Sequence, residues 1–170
     1  MKLISLEGIT RALNDANVRY LVVGGLAVAA HGYGRVTFDV DLVIQLRADN
    51  VRRALDALGS LGYRPVAPVA AQGLADVAIR ESWVREKHMV VFALQSDLHR
   101  ETNVDIFVAE PFDFDCEYDN ALTGEILPGV PVRFLRLEAL IRMKEAAGRA
   151  KDLEDVRQLR LLLENPDHEQ

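Results

Sequence analysis

The sequence predicts an α+β domain, in which a mixed β-sheet is flanked by helices and followed by further C-terminal helices. The chain has 170 residues, of which 49% are apolar, enough to build one domain with a real core. Helical and strand patterns are mixed along it without a strict βαβ rhythm, which favours α+β over a doubly wound sheet. We expect a single domain over residues 1–165 and a frayed tail over 166–170.

In the first half of the chain, hydrophobic spacing and glycines mark the elements. Leu6, Ile9 and Leu13 repeat at helical spacing, and glycines follow two of the later helices. The predicted elements are a helix over 3–14, a strand over 18–23, a helix over 26–31, a strand over 38–46 and a helix over 50–61.

The second half is less regular. Two prolines, Pro65 and Pro68, predict a loop before the next helix. Gly148 separates the last two helical patterns. The predicted elements are a helix over 75–87, strands over 89–94 and 103–109, a strand pair or turn over 127–134, and helices over 137–147 and 151–163.

Two carboxylates lie in the otherwise apolar strand over 38–46. Alternate strand residues face opposite ways, so Asp39 and Asp41 share the face opposite Phe38, Val40, Leu42 and Ile44, which we expect in the core. Neighbouring carboxylates raise each other's pKa unless a positive charge lies between them. A magnesium ion would supply that charge through its preferred oxygen ligands. The alternative is a solvated strand face, although Asp is depleted in strands.

A third carboxylate, Asp105, occurs in the later strand "TNVDIFVAE", opposite Val104, Ile106 and Val108. If the two strands are neighbours, three carboxylates converge. Such a set could hold two metal ions and serve an in-line displacement at phosphorus.

Gly24 and Gly25 stand between a strand and a helix, ahead of the paired aspartates. Such a glycine pair allows the backbone to approach a phosphate closely, although by itself it usually marks only a turn. The segment "GGLAVAAHG" does not form the G-x-G-x-x-G pattern of dinucleotide-binding domains, and the chain contains no P-loop motif.

The segment "VVGGLAVAAHGYGRVTFDVDLVI" resembles the signature of the minimal nucleotidyltransferase superfamily, which shares its catalytic core with DNA polymerase beta. The later segment "MKEAAGRAKDLEDVRQL" is similar to the C-terminal motif of bacterial nucleotidyltransferase-like proteins related to the AbiEii toxins. The resemblance covers most of the chain, except residues 63–100. It implies a nucleotidyltransferase core with a mixed sheet.

The resemblance implies roles for particular residues. Gly24 and Gly25 would hold the triphosphate of an NTP. Asp39 and Asp41 would bind two Mg²⁺ ions, and Asp105 would bind one of them and help to activate the acceptor hydroxyl. Many family members carry Ser where this chain has Gly25, so a hydroxyl contact to phosphate is missing here.

Further candidates lie in the loop before the aspartates and in the last two helices. Lys144 falls on the apolar side of its helix, where it either reaches the nucleotide, as the resemblance suggests, or snorkels to solvent. In the related toxins the acid of this motif belongs to the active site, so the resemblance implies Asp155, or alternatively Asp152, as a candidate. The alternative is that both acids simply complement a helix dipole. Arg35 and Thr37 lie on the approach to the aspartates. Arg35 binds a phosphate there, or pairs with a surface acid.

Composition limits the partners and the compartment. A net charge of −6 argues against indiscriminate coating of nucleic acid. One cysteine and no long apolar run indicate a cytoplasmic protein without a membrane span. The resemblance implies a Mg²⁺-dependent transferase that moves a nucleoside monophosphate from an NTP to RNA, protein or a small molecule. It also suggests the toxin of a toxin–antitoxin pair. The alternative is a non-catalytic module that binds nucleotide or a partner protein.

Overall fold

A seven-stranded mixed sheet forms the centre of the protein. The computed structural model describes residues 2–164. The strands are β1 (Tyr20–Val22), β2 (Asp39–Ile44), β3 (Tyr63–Pro65), β4 (Val91–Ser96), β5 (Asn103–Phe107), β6 (Leu122–Glu125) and β7 (Pro131–Phe134). Their order across the sheet is β3-β4-β5-β2-β1-β7-β6. Two neighbouring pairs, β2 with β5 and β1 with β7, are parallel, and the others are antiparallel.

Within residues 2–164, seven α-helices and one 3₁₀ helix accompany the sheet. The α-helices are α1 (Leu3–Asp15), α2 (Gly24–Ala30), α3 (Ala48–Ser60), α4 (Val77–Lys87), α5 (Phe114–Asp119), α6 (Leu137–Ala147) and α7 (Ala150–Glu164). The 3₁₀ helix spans Ala71–Ala75. The predicted α+β class, with its mixed sheet and C-terminal helices, is confirmed. No helix within residues 2–164 is long and apolar enough to cross a bilayer.

One face of the central strands forms the core, as the alternation of their residues predicts. Val40, Leu42 and Ile44 of β2 are at most 1% exposed. On β4, the ring of Phe92 stacks on Trp83 of α4 with 5.6 Å between the centroids. Phe38 is the exception: it was expected in this core but is 65% exposed. The reason is that β2 begins only at Asp39, so Phe38 lies beyond the end of the sheet.

Several elements depart from the sequence-based expectations. Residues 63–65, expected in a loop because of Pro65, form the edge strand β3, which pairs with β4 on one side only. Helix α5 was not predicted. The strand pair around Pro128-Gly129 exists, but its first strand lies earlier, at Leu122–Glu125. The expected frayed tail, 166–170, lies outside the described residues.

Candidate active site

Strands β2 and β5 place three aspartates on one face of the sheet. In the parallel pairing of these strands, Asp41 lies directly beside Asp105, and Asp39 lies beside Asn103. Paired residues of neighbouring strands point to the same side, and so do residues two apart on one strand. The side chain of Asp105 therefore shares its face with those of Asp39 and Asp41, as the strand patterns required.

The three carboxylates repel one another electrostatically. The pKa of Asp41 is raised above its ordinary value, mainly because the carboxyl group is buried and secondly because of the charge of Asp39. Burial, together with the charges of Asp41 and Asp39, raises the pKa of Asp105 to about 6. A cation between the carboxylates would remove this repulsion, so the charge and the donor oxygens of the set suit a divalent metal ion.

Two of the three carboxylates accept hydrogen bonds from neighbouring groups. The carboxylate of Asp41 accepts a hydrogen bond from the backbone N–H of Gly25. Asp39 Oδ1 accepts a long one, 3.4 Å, from Asn103 Nδ2. In these orientations, no three His, Cys, Asp or Glu side chains within residues 2–164 form a group that could hold a metal ion. Metal binding by Asp39, Asp41 and Asp105 thus stays a prediction, which the shared face supports.

Gly24 and Gly25 begin helix α2 rather than preceding it. Gly24 has a φ of +63°, in the left-handed region that favours glycine. A Cβ atom on Gly24 would lie 2.8 Å from Asp41 Cβ and would collide with its carboxylate. A Cβ on Gly25 would lie 2.8 Å from Thr37 Cβ and 2.9 Å from its Oγ1. Two predicted residues, Gly25 and Thr37, are therefore in close contact.

Replacing Gly24 should displace Asp41. We expect Gly24→Ala to lower the free energy of unfolding by about 1–2 kcal/mol, because alanine is strained at positive φ and its methyl group meets the carboxylate. Chemical denaturation would measure this loss. The control is Gly34→Ala, since a Cβ on Gly34 meets nothing within 4 Å. Equal stability of the two variants would contradict the predicted collision.

Lys144 is buried in a cluster of charged groups between α6 and α7. Its side chain is 6% exposed, and its Nζ lies 2.6 Å from Asp155 Oδ2 and 3.5 Å from Asp152 Oδ1. The inward orientation expected from helical spacing is thus observed, and snorkelling to solvent does not describe it. Its partners, Asp152 and Asp155, lie eight and eleven residues further along the chain, and nothing in the sequence pairs them with Lys144.

Two arginines complete this cluster, named here the buried ion cluster after its buried members Lys144, Asp152 and Asp155. Its other members are Arg35 and Arg149, and the side chain of Arg149 is 65% exposed. Arg35, from the loop before β2, pairs with the Asp155 carboxylate. Arg149 Nε donates to Asp152 Oδ2 at 2.5 Å. Burial alone would raise the pKa of Asp152, but the hydrogen bond from Arg149 and the nearby charges lower it. Arg35 was expected on a phosphate or a surface acid; here its partner, Asp155, is a buried acid.

The buried ion cluster adjoins the aspartates. The charge of Lys144 lowers the pKa of Asp41, against the larger opposing effects of burial and Asp39, and the charge of Lys151 acts in the same direction. The charge of Asp41 in turn raises the pKa of Arg149. The loop before β2, the face of β2 and the helix pair α6–α7 therefore meet at one place. Asn103 and Arg149 belong to this region although the sequence singled out neither as a site residue.

Comparison with known proteins identifies the fold. Neither models of protein families nor curated proteins match the chain. The solution structure of the antibiotic-resistance factor ANT(2'')-Ia matches with a TM-score of 0.61 at 18% identity, covering 95% of this chain and 83% of that one. The crystal structure of ANT(2'')-Ia in complex with adenylyl-2''-tobramycin gives 0.58 at 17% identity, with coverages of 95% and 88%.

A third match is an antigenic nucleotidyltransferase-like protein from Paracoccidioides brasiliensis. Its TM-score is 0.52 at 22% identity, and the match covers 92% of this chain and 74% of that one. Such low identities establish a common fold and leave substrate and activity to other arguments. The chain has the fold of the nucleotidyltransferases.

Proposed function

We propose that the protein is a metal-dependent nucleotidyltransferase, which moves a nucleoside monophosphate from an NTP to a hydroxyl group and releases pyrophosphate. The observation that carries this proposal is the side-by-side pairing of Asp41 and Asp105 on adjacent parallel strands, with Asp39 on the same face. Three buried or half-buried carboxylates whose charges repel one another are costly without a cation, and a structural role alone does not explain them.

Asp39, Asp41 and Asp105 would hold the metal ions, two Mg²⁺ by the resemblance of the sequence. When bound, the ions would neutralise charge on the phosphates and help to activate the attacking oxygen. The task of the protein is then mainly to position groups and to neutralise charge. Asp105 lies on β5, one strand further from the glycines than Asp41, where it would orient the acceptor hydroxyl and help to take up its proton.

The phosphates would lie on the other side of Asp41, against Gly24 and Gly25. The N–H of Gly25 is bonded to the Asp41 carboxylate in this structure, so a phosphate oxygen would replace that carboxylate there. Thr37, in contact with Gly25, would bring a hydroxyl group to the same place. Arg35 would reach a phosphate only by leaving or sharing Asp155, and Lys144 would act on the nucleotide through its charge from within the buried ion cluster.

A transfer assay tests the proposal. The purified protein is incubated with each α-labelled NTP, Mg²⁺ or Mn²⁺, and a cell extract as the source of acceptors. We expect label on an acceptor and released pyrophosphate, both abolished by EDTA and restored by excess Mg²⁺. Measuring pyrophosphate separately distinguishes transfer from simple retention of nucleotide.

A non-catalytic module of the same fold is the competing interpretation. It predicts nucleotide binding, measurable by calorimetry, without label on any acceptor and without pyrophosphate release. That result would refute the transferase. Metal-independent transfer would refute the assigned role of the three aspartates.

A narrower proposal concerns biological role. The similarity of "MKEAAGRAKDLEDVRQL" to the AbiEii-type motif supports the toxin of a toxin–antitoxin pair, acting in the cytoplasm and neutralised by an antitoxin protein. Induced expression should then arrest growth in a manner that requires the aspartates. Normal growth with an active, abundant enzyme would argue against a toxin.

A further inference from the structure

The sheet face that carries the aspartates continues, partly open, across β5 and β4. On β4, Phe92 and Leu94 are buried on the core side, whereas Ala93 on the opposite side is half-buried and Gln95 is exposed. On β5, Asn103 is exposed and Asp105 is half-buried. These strands therefore present a second face to solvent, next to the proposed reaction site.

Strand register connects this open face to the aspartates in two rows. Ala93 pairs with Asp105, which pairs with Asp41. In the second row, Asn103 pairs with Asp39, and continuing the β4–β5 register by one residue beyond the Leu94–Val104 pair would place Gln95 beside Asn103. The first row offers a small side chain beside the carboxylates. The second row offers two side-chain amides, each able to donate and to accept hydrogen bonds.

The direction of an in-line displacement selects this face for the acceptor. The attacking and leaving oxygens lie on opposite sides of the phosphorus. Gly24 and Gly25, the proposed phosphate contacts, lie against Asp41 on the side of β1. In the proposed transferase, the pyrophosphate would leave toward β1, and the attacking hydroxyl would approach from the side of β5 and β4.

The charge of the open face suits an acceptor without negative groups. Arg64, the one basic residue in β3, β4 and β5, pairs with Gln95 in the strand register, and its charge is balanced by Asp97, whose Oδ2 lies 2.7 Å from Arg64 Nη2. Arg100, in the following loop, donates through Nε to the carbonyl of Asp97. Nucleic-acid binding relies on several lysines and arginines directed at phosphates. Gln95 and Asn103 instead offer the amide donors and acceptors that hydroxyl and amino groups can bind.

We propose that Gln95 and Asn103 orient the acceptor on this open face, and that the acceptor is a small polyhydroxylated molecule without negative charge. The proposal rests on the transferase function proposed above. It assigns Gln95 the larger share of the contact, since Gln95 is exposed whereas Asn103 also donates to Asp39 Oδ1.

Three acceptors separate the possibilities: tobramycin as a cationic amino sugar, myo-inositol as a neutral polyol, and an oligoribonucleotide with a free 3' hydroxyl. We expect label on one of the two small acceptors. Gln95→Ala should raise the KM for that acceptor severalfold. Gln95→Lys should raise the KM for tobramycin by about tenfold through repulsion of like charges. The KM for the NTP should stay within about twofold in both variants.

The matched control is Gln72→Lys, which adds the same charge at an exposed position in the 3₁₀ helix, away from β4 and β5. Label on the oligoribonucleotide alone, or on neither small acceptor, would overturn the acceptor proposal. So would equal acceptor KM values for Gln95→Lys and Gln72→Lys. Failure of the transferase function itself is distinguishable, because pyrophosphate release would then be absent with the cell extract as well.

Discussion

Asp41→Asn should reduce nucleotidyl transfer by about a thousandfold or more while leaving the protein folded. The amide has the size of the carboxylate but lacks the charge that would hold a metal ion, and a thousandfold corresponds to about 4 kcal/mol of transition-state stabilisation. The measurement is the initial rate of label transfer at saturating Mg²⁺. Asp49→Asn is the control, since Asp49 is an exposed acid on α3 whose ion-pair partners within residues 2–164 are Arg47 and Arg53.

The stability of the Asp41 variant separates a functional role from a structural one. Because the pKa of Asp41 is raised, the folded protein binds that proton more tightly than the unfolded chain does. Ionised Asp41 therefore lowers stability once the pH rises above the ordinary carboxyl pKa. In metal-free buffer at neutral pH, Asp41→Asn should be at least as stable as the wild type. If Asp41→Asn were both inactive and unfolded, the conclusion that Asp41 serves the function and not the stability of the protein would be wrong.

Lys144→Met should lower the free energy of unfolding by about 3–5 kcal/mol. The methionine is unbranched and only one atom shorter than the lysine, but it leaves Asp152 and Asp155 with less positive charge, and both acids are at most 3% exposed. Removing one partner of a buried ion pair leaves a charge in a low-dielectric site, which is far more costly than losing a surface pair. Urea denaturation at neutral pH would measure the loss.

The exposed Lys151, in the same helix pair, is the matched control. Lys151→Met should change the free energy of unfolding by less than about 0.5 kcal/mol. A second comparison is the double variant Lys144→Met with Asp155→Leu, which removes both charges of the Lys144–Asp155 pair. It should be more stable than Lys144→Met alone. Equal stability of Lys144→Met and the wild type would show that the buried ion cluster contributes nothing to folding.

Much of the site was predictable because it depends on simple alternation. The period of two along β2 and β5 fixes which residues share a face, so Asp39, Asp41 and Asp105 could be grouped once the strands were recognised. Helical spacing likewise predicted that Lys144 points inward. Gly148, with a φ of +63°, ends α6 where the sequence predicts.

The remaining features depend on tertiary contacts or on signals that are easy to overlook. Strand β3 contains Pro65, and only its position at the edge of the sheet makes a proline acceptable. Helix α5 has a local signal in Asp113, which accepts from the N–H of Cys116 at 2.9 Å. The partners of Lys144 could not be deduced, because the turn at Gly148 sets how α7 folds back on α6.

The parallel pairing of β2 with β5 has a consequence for how such a chain can change. The segment between these strands, residues 45–102, leaves the middle of the sheet after β2 and returns to it at β5. The backbone hydrogen bonds between β2 and β5 fix both ends of this segment. Its length and sequence can therefore vary without moving the three aspartates apart. Insertions near the edge strand β3 should therefore be tolerated, whereas a shift of β5 by one residue would direct the Asp105 side chain into the core.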